Sequence, residues 1–130
     1  MTVDGFELEL PRSDAAAALA RREVERRFGA VVADETLEDA KVVVSELVAN
    51  ALVHGDGAVT LRGGLQDARL RLEVSEEGSG PAPAVREDDE DDEDDSGWGL
   101  RVVDALSLRW GAYEGTTHVW AELAVRPRSD

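Results

Sequence analysis

The stretch Val42–Gly55, VVVSELVANALVHG, decides how the rest of the chain is read. Its pattern is that of the C-terminal half of an amphipathic helix. Leu37, Ala40, Val44, Leu47 and Ala51 recur at steps of three and four, the spacing that lays one apolar stripe against a core. Glu46, Asn50 and His54 follow at i, i+4 and i+8 and form a second line beside that stripe. At about 100° per residue, Glu46 and Asn50 lie about 40° apart, with Val42, Val43 and Val53 in or beside their sector. Glu38, Ser45 and Ala49 occupy the sector expected to face water. A mid-helix Glu is ordinarily solvated or ion-paired, and a buried Asn is ordinarily a hydrogen-bonded core amide. A carboxylate and an amide bordered by valines point instead into a pocket.

Upstream, Phe6–Leu10 (FELEL) alternates apolar and acidic residues as a half-buried strand does, and Pro11 ends it. Ser13 or Asp14 is placed to cap a helix running to about Phe28. Ala17, Leu19, Ala20, Val24 and Phe28 are its inward residues, and Gly29 supplies a stop. Asp34-Glu35-Thr36 opens the central helix and Gly55-Asp56-Gly57 closes it. Downstream, Ala58–Arg62 is expected to lead through a Gly63–Asp67 turn into a strand over Ala68–Glu76. There Leu70, Leu72 and Val74 share one face, while Arg69, Arg71 and Glu73 share the other. The same parity puts Glu76 on the apolar side, where a carboxylate calls for a donor. Glu77-Gly78-Ser79-Gly80-Pro81 breaks the strand.

Pro81–Ser96 is a low-complexity segment that cannot bury apolar area and repels itself, so the expectation is a mobile loop. Gly97-Trp98-Gly99 closes it, and Leu100–Leu108 resumes a helical pattern through Leu100, Val103 and Leu106. Trp110–Tyr113 and Thr117–Val125 are strands joined by a turn at Glu114-Gly115. Val119, Ala121, Leu123 and Val125 share a face, with Thr117 at the same parity. The polar tail Arg126–Asp130 is expected to fray. Strand, two helices, two strands, loop, helix, two strands makes a two-layer α/β (α+β) sandwich. Its sheet is read as mixed and mostly antiparallel, with helices packed on one face.

Composition narrows the function classes. The 130 residues fit one domain, 1–130. Cysteine is absent, which excludes disulfides and thiolate metal sites. Of the net charge of −15, nine charges belong to the unbroken acidic run Glu87–Asp95, which leaves −6 for the rest. Nucleic acid is not an expected partner, because phosphate binding needs clustered cations. This chain has a single lysine, Lys41, and dispersed arginines apart from Arg21–Arg22 and Arg26–Arg27. No membrane contact is expected either, since no apolar run approaches the ~20 residues of a span. The N-terminus has no basic start followed by an apolar segment, so a soluble cytoplasmic protein is the expectation.

Four features now stand in sequence order: Glu46…Asn50 on a helix, Glu76-Glu77-Gly78-Ser79-Gly80 after a strand, Gly97-Trp98-Gly99-Leu100 opening a helix, and Gly115-Thr116-Thr117 entering the last strand. With these boxes the chain resembles the histidine-kinase-like (gyrase B, Hsp90 and MutL type) ATPase domain over roughly residues 6–125. Within that family it is most similar to bacterial anti-sigma-factor serine kinases, through SELVANALVHG, GWGLRVVDAL and THVWAEL. The resemblance implies ATP and Mg²⁺ as cofactors. Asn50 would hold the metal through its carbonyl oxygen, a ligand type that suits a hard cation. Glu46 would act as catalytic base toward an attacking hydroxyl. Glu76 would accept from the adenine amino group, Gly78 and Gly80 would admit the base, and Thr117 would complete that side. Gly97, Gly99 and Leu100 would present a helix N-terminus to phosphate.

The family carries an aspartate where this chain has Glu76, and its lid over the phosphates falls on residues 81–96, here acidic. Both departures imply weaker nucleotide binding. The alternative reading of Gly78 and Gly80 is a strand-ending turn only; His54 is read as a helix C-terminal cap rather than a ligand, and Trp98 and Trp120 as packing or interface residues rather than base-stacking platforms. The implied function is an ATP-dependent serine/threonine kinase that phosphorylates a small anti-sigma antagonist and sequesters a sigma factor, with a homodimer left open. The alternative is a non-catalytic module that sequesters a partner and binds nucleotide weakly or not at all. Intact Glu46 and Asn50 favour the first; Glu76 and the acidic lid favour the second.

Overall fold

The alternating and helical patterns resolve into eight elements in a computed structural model that describes residues 2–54, 57–76, 98–112 and 118–128, without the side chains of 54, 98 and 99. They are β1 (Val3–Leu10), α1 (Ala16–Phe28), α2 (Asp34–His54), β2 (Val59–Gln66), β3 (Arg69–Glu76), α3 (Trp98–Leu106), β4 (Arg109–Ala112) and β5 (Val119–Ala124). The strands form one open sheet in the order β1-β2-β3-β5-β4. All four pairings are antiparallel, in a sheet expected to be mixed and mostly antiparallel. Two helices between β1 and β2, and a helix plus a strand between β3 and β5, each return the chain with its direction reversed. The acidic segment 81–96 lies outside the described residues.

Helix α2 lies over the sheet with Leu37, Ala40, Val44, Leu47 and Ala51 buried as their spacing requires, and Val43 and Val48 widen the stripe. Helix α1 adds Ala16, Ala20, Val24 and Phe28. From the sheet, Leu61, Leu70, Leu72, Val74, Val119, Ala121 and Leu123 meet them. The helices therefore cover one face only. Arg71, Glu73 and Ser75, on the other parity of β3, stay partly exposed.

Three local expectations change. The glycine pair Gly63-Gly64 sits inside β2, and the reversal comes at Asp67 and Ala68, whose φ values of 54° and 62° make a two-residue hairpin turn. Glycine is needed at 63 for space. Phe6 is its partner across the β1–β2 ladder, and a Cβ there would stand 2.9 Å from the Phe6 ring. That ring is already fixed between Phe28, 5.9 Å away, and the Arg27 guanidinium, 4.8 Å away. At the start of α1, Ser13 caps the preceding turn by accepting from the Ala15 N–H, and the helix begins only at Ala16. The tail is tied down rather than frayed through residue 128. Pro127 bridges Val32, the Arg128 N–H donates to the Val31 carbonyl, and the Arg128 side chain reaches the Gly29 carbonyl and Asp34.

The uncovered sheet face is polar and ordered by cross-strand register. Glu7, Arg62, Glu73 and Trp120 lie across adjacent strands in one row, and Arg71, Glu122 and Arg109 in the next. The Trp120 ring is flanked by the guanidiniums of Arg71 at 4.5 Å and Arg109 at 5.7 Å. The Glu122 carboxylate accepts from Arg109 at 2.7 and 3.2 Å and from Arg71 at 3.1 Å. Hydrogen bonding from Arg109 holds the Glu122 carboxyl below the usual range against the opposing effect of burial, and Arg71 adds to it.

Two outcomes follow from these contacts. Gly63→Ala overpacks the Phe6 ring and is expected to cost about 1–3 kcal/mol in a denaturant titration, with part of the loss restored in Gly63→Ala/Phe6→Leu. For Glu122 the folded-state carboxyl titrates lower than the unfolded one. Its stabilisation is therefore complete above about pH 4.3 and is lost as pH falls below that value. Glu122→Gln should flatten the acid limb of a plot of thermal midpoint against pH; an unchanged limb would contradict the ion-pair account.

Candidate functional site

A helix that covers a sheet has margins, and α2 carries its polar chemistry on one of them. Asn50 lies next to the buried stripe and is only 7 % exposed, yet neither its amide nitrogen nor its carbonyl oxygen has a hydrogen-bond partner among the described residues. Leaving such a group unanswered costs about 1–3 kcal/mol, so the position carries a stability penalty. Glu46, one turn earlier, is half-buried and forms no ion pair among the described residues. Val43 beside them is fully buried, whereas Val42 and Val53 are 41 % and 60 % exposed and line the outer margin instead of enclosing the site. Asp39 continues the same line toward the helix start at the spacing 39, 43, 46, 50. Burial pushes its carboxyl above the usual range, and Glu35 adds to the effect. The sequence reading missed Asp39, although this spacing is the signal that would have found it.

The inward parity of Glu76 holds. It ends β3 opposite Val59, and its side chain is fully buried. The donors it requires come from two places. The Gly57 N–H, just beyond α2, donates to Oε1, and the Arg12 guanidinium lies 3.8 Å from the same oxygen. Arg12 also donates to the carbonyls of Leu52 at 3.1 Å and Gly57 at 3.0 Å. Leu52 is two residues after Asn50, so one guanidinium joins the end of the Asn50 helix to the buried carboxylate. Sequence reading missed Arg12 as well. Its partners lie 40 or more residues away in sequence, and nothing local distinguishes an arginine after Pro11.

The remaining expectations divide. Gly78, Gly80, Gly97 and Thr117 lie outside the described residues. Gly99 and Leu100 fall in the first turn of α3, where backbone N–H groups lack intrahelical acceptors. The Leu100 side chain is buried in the core, so only its backbone is available to a ligand. His118 and Trp120 belong to the open face, His118 standing 3.6 Å from Glu73. That face also holds a hollow of about 820 Å³ between Val3–Glu7, Arg62–Gln66 and Arg109, on the opposite side of the sheet from α2. Among the described residues no three His, Cys, Asp or Glu side chains converge, and no helix is long and apolar enough to cross a membrane.

The Asn50 amide tests whether this margin is built for function. Asn50→Leu removes, at similar volume, two buried polar atoms that have no partner among the described residues, and is expected to raise the thermal midpoint of the ligand-free protein. A fall in the midpoint without ligand would show the amide to be a satisfied structural group.

Comparison with known proteins identifies the family. Over 50 residues the chain is 42% identical to an anti-sigma F factor of Clostridium acetobutylicum, a match covering 35% of this chain and 35% of that protein. The fold superposes on the crystal structure of the RsbU and RsbW domains of Rv1364c from Mycobacterium tuberculosis with a TM-score of 0.67 and 21% identity, covering 98% of this chain and 33% of that one. The chain thus spans about a third of each. Residues 10–122 match the histidine kinase-like ATPase domain. With that match spanning most of its length, the chain belongs to the histidine kinase-like ATPase family.

Proposed function

We propose that the chain binds ATP with Mg²⁺ and transfers the γ-phosphoryl group to a serine or threonine of a small protein of the anti-sigma antagonist type. It would act in the cytoplasm and sequester a sigma factor when that antagonist is absent. The observation that carries this reading is Asn50, whose buried carbonyl oxygen has no partner among the described residues and lies one helical turn from Glu46. An oxygen ligand of that kind fits Mg²⁺, which takes one or two protein ligands and completes its shell with water and phosphate oxygens. When bound, the ion supplies neutralisation of phosphate charge. Glu46 accepts the proton of the acceptor hydroxyl as its oxygen bonds to the γ-phosphorus and the bond to the bridging β–γ oxygen breaks, giving a phosphoester and ADP. Glu76 accepts from the 6-amino group of adenine. Gly78, Gly80 and Thr117 complete the base side, and Gly97, Gly99 and Leu100 present backbone to phosphate.

Similarity to an anti-sigma F factor supports the choice of partner class. For a second copy of the chain the fitting surface is the open sheet face. Arg62, Arg71 and Arg109 there are matched by Glu7, Glu73 and Glu122, so two such faces can meet although the chain is acidic overall. One observation favours the non-catalytic alternative: the Glu76 carboxylate already engages Gly57 and Arg12.

Incubation with Mg²⁺, labelled ATP and an anti-sigma antagonist separates the two readings. A kinase transfers label to the antagonist, and Glu46→Gln slows transfer by about 10²–10⁴-fold with nucleotide affinity retained. Binding by the wild type without any transfer would establish the non-catalytic module.

A further inference from the structure

We propose that Arg12 is a positioning residue of the nucleotide site and sets its preference for a 6-aminopurine. The inference rests on the reading above, in which Glu76 accepts from the base. Arg12 lies outside the four sequence boxes, at the junction between β1 and α1. It nevertheless touches both halves of the site. One nitrogen, Nη1, donates to the Gly57 carbonyl at 3.0 Å and stands 3.8 Å from Glu76 Oε1; the other, Nη2, donates to the Leu52 carbonyl at 3.1 Å. The Leu52 carbonyl is among the last four of α2, which have no intrahelical donor. Arg12 therefore caps the helix that carries Asn50 and in the same contact fixes the carboxylate at the end of β3.

The chemistry of Glu76 makes this matter for the base. A buried carboxylate is tolerated only when a positive charge and hydrogen bonds compensate it, and the guanidinium with the Gly57 N–H supplies both. An ionised carboxylate accepts hydrogen bonds and donates none, over about four acceptor positions. It therefore favours a purine with an amino group at position 6 and disfavours one with an oxo group. A carboxylate that loses its guanidinium is free to rotate or to take up a proton, and a protonated carboxyl donates as readily as it accepts. Arg12 thus converts a flexible glutamate into a fixed acceptor of one polarity. The longer side chain at 76 makes such fixing more necessary than a shorter aspartate would, because it has one more torsion to restrain.

The test compares ATP with purine riboside triphosphate, which lacks only the 6-amino group, and with GTP, by calorimetry on wild type, Arg12→Gln and Arg12→Lys. The wild type is expected to bind ATP about tenfold or more tightly than the analogue, the range of a hydrogen bond to a charged group. In Arg12→Gln that ratio should fall to within about threefold, with GTP rejected less strongly, while binding stays Mg²⁺-dependent. Arg12→Lys keeps the charge but cannot span three acceptors, and its ratio should lie between. An equal loss for ATP and the analogue, with the ratio intact, would show Arg12 to be a purely structural cap and overturn the proposal. A wild type that binds none of the nucleotides would overturn the underlying reading as well. Circular dichroism on each variant confirms folding, and Arg12→Lys carries the test if Arg12→Gln does not fold.

Discussion

The constraint on which the rest of this structure depends is angular. A helix laid on a sheet can bury only part of its circumference, and α2 fills that arc with Leu37, Ala40, Val43, Val44, Leu47, Val48 and Ala51. Residues just outside the arc are neither core nor surface. Glu46 and Asn50 occupy that boundary, which is why one is half-buried and the other buried with its amide lacking a partner among the described residues. The margin lets a stable packing interface carry polar groups without opening the core. The layer architecture follows from the same arrangement, with the buried residues of the helices and of the sheet forming one core.

Much of this was legible in the sequence because the signals are local. Alternation in Arg69–Glu76 fixed which face is buried, and extending it by one residue put the Glu76 carboxylate inward, as observed. The three-and-four spacing over Leu37–Ala51 identified every residue of the α2 stripe that it named. Legibility ended where the deciding partner lies far along the chain. Gly63-Gly64 reads as a turn until the Phe6 ring, a strand away, is known to need the space. Arg12 reads as a solvated loop arginine until Leu52, Gly57 and Glu76 are brought to it. The exposed Val42 and Val53 show the reverse error, since apolar character alone does not establish enclosure.

The two faces of the sheet solve different problems with the same register. On the covered face β1, β2, β3 and β5 contribute branched aliphatic residues, and the ladder stacks them under the helices. On the open face the same ladder aligns opposite charges, so that Glu7, Arg62, Glu73, Arg71, Glu122 and Arg109 compensate one another across all five strands. Gly111 leaves room for the Trp120 ring, which a Cβ there would meet at 3.0 Å, and the ring in turn supports two guanidiniums. Such charge pairs contribute little stability one by one when solvated. As a row they prescribe which strand neighbours which, and an apolar face open to water would not.

The pinned segment after β5 has a mechanical consequence. Arg126–Arg128 is clasped to the connection between α1 and α2 through Val31, Val32, Gly29 and Asp34. A pull exerted at this end of the molecule would load the helical hairpin before it could peel β5 from β3. Tension there would be felt first at the foot of α2, at Asp34, about four helical turns before Asn50.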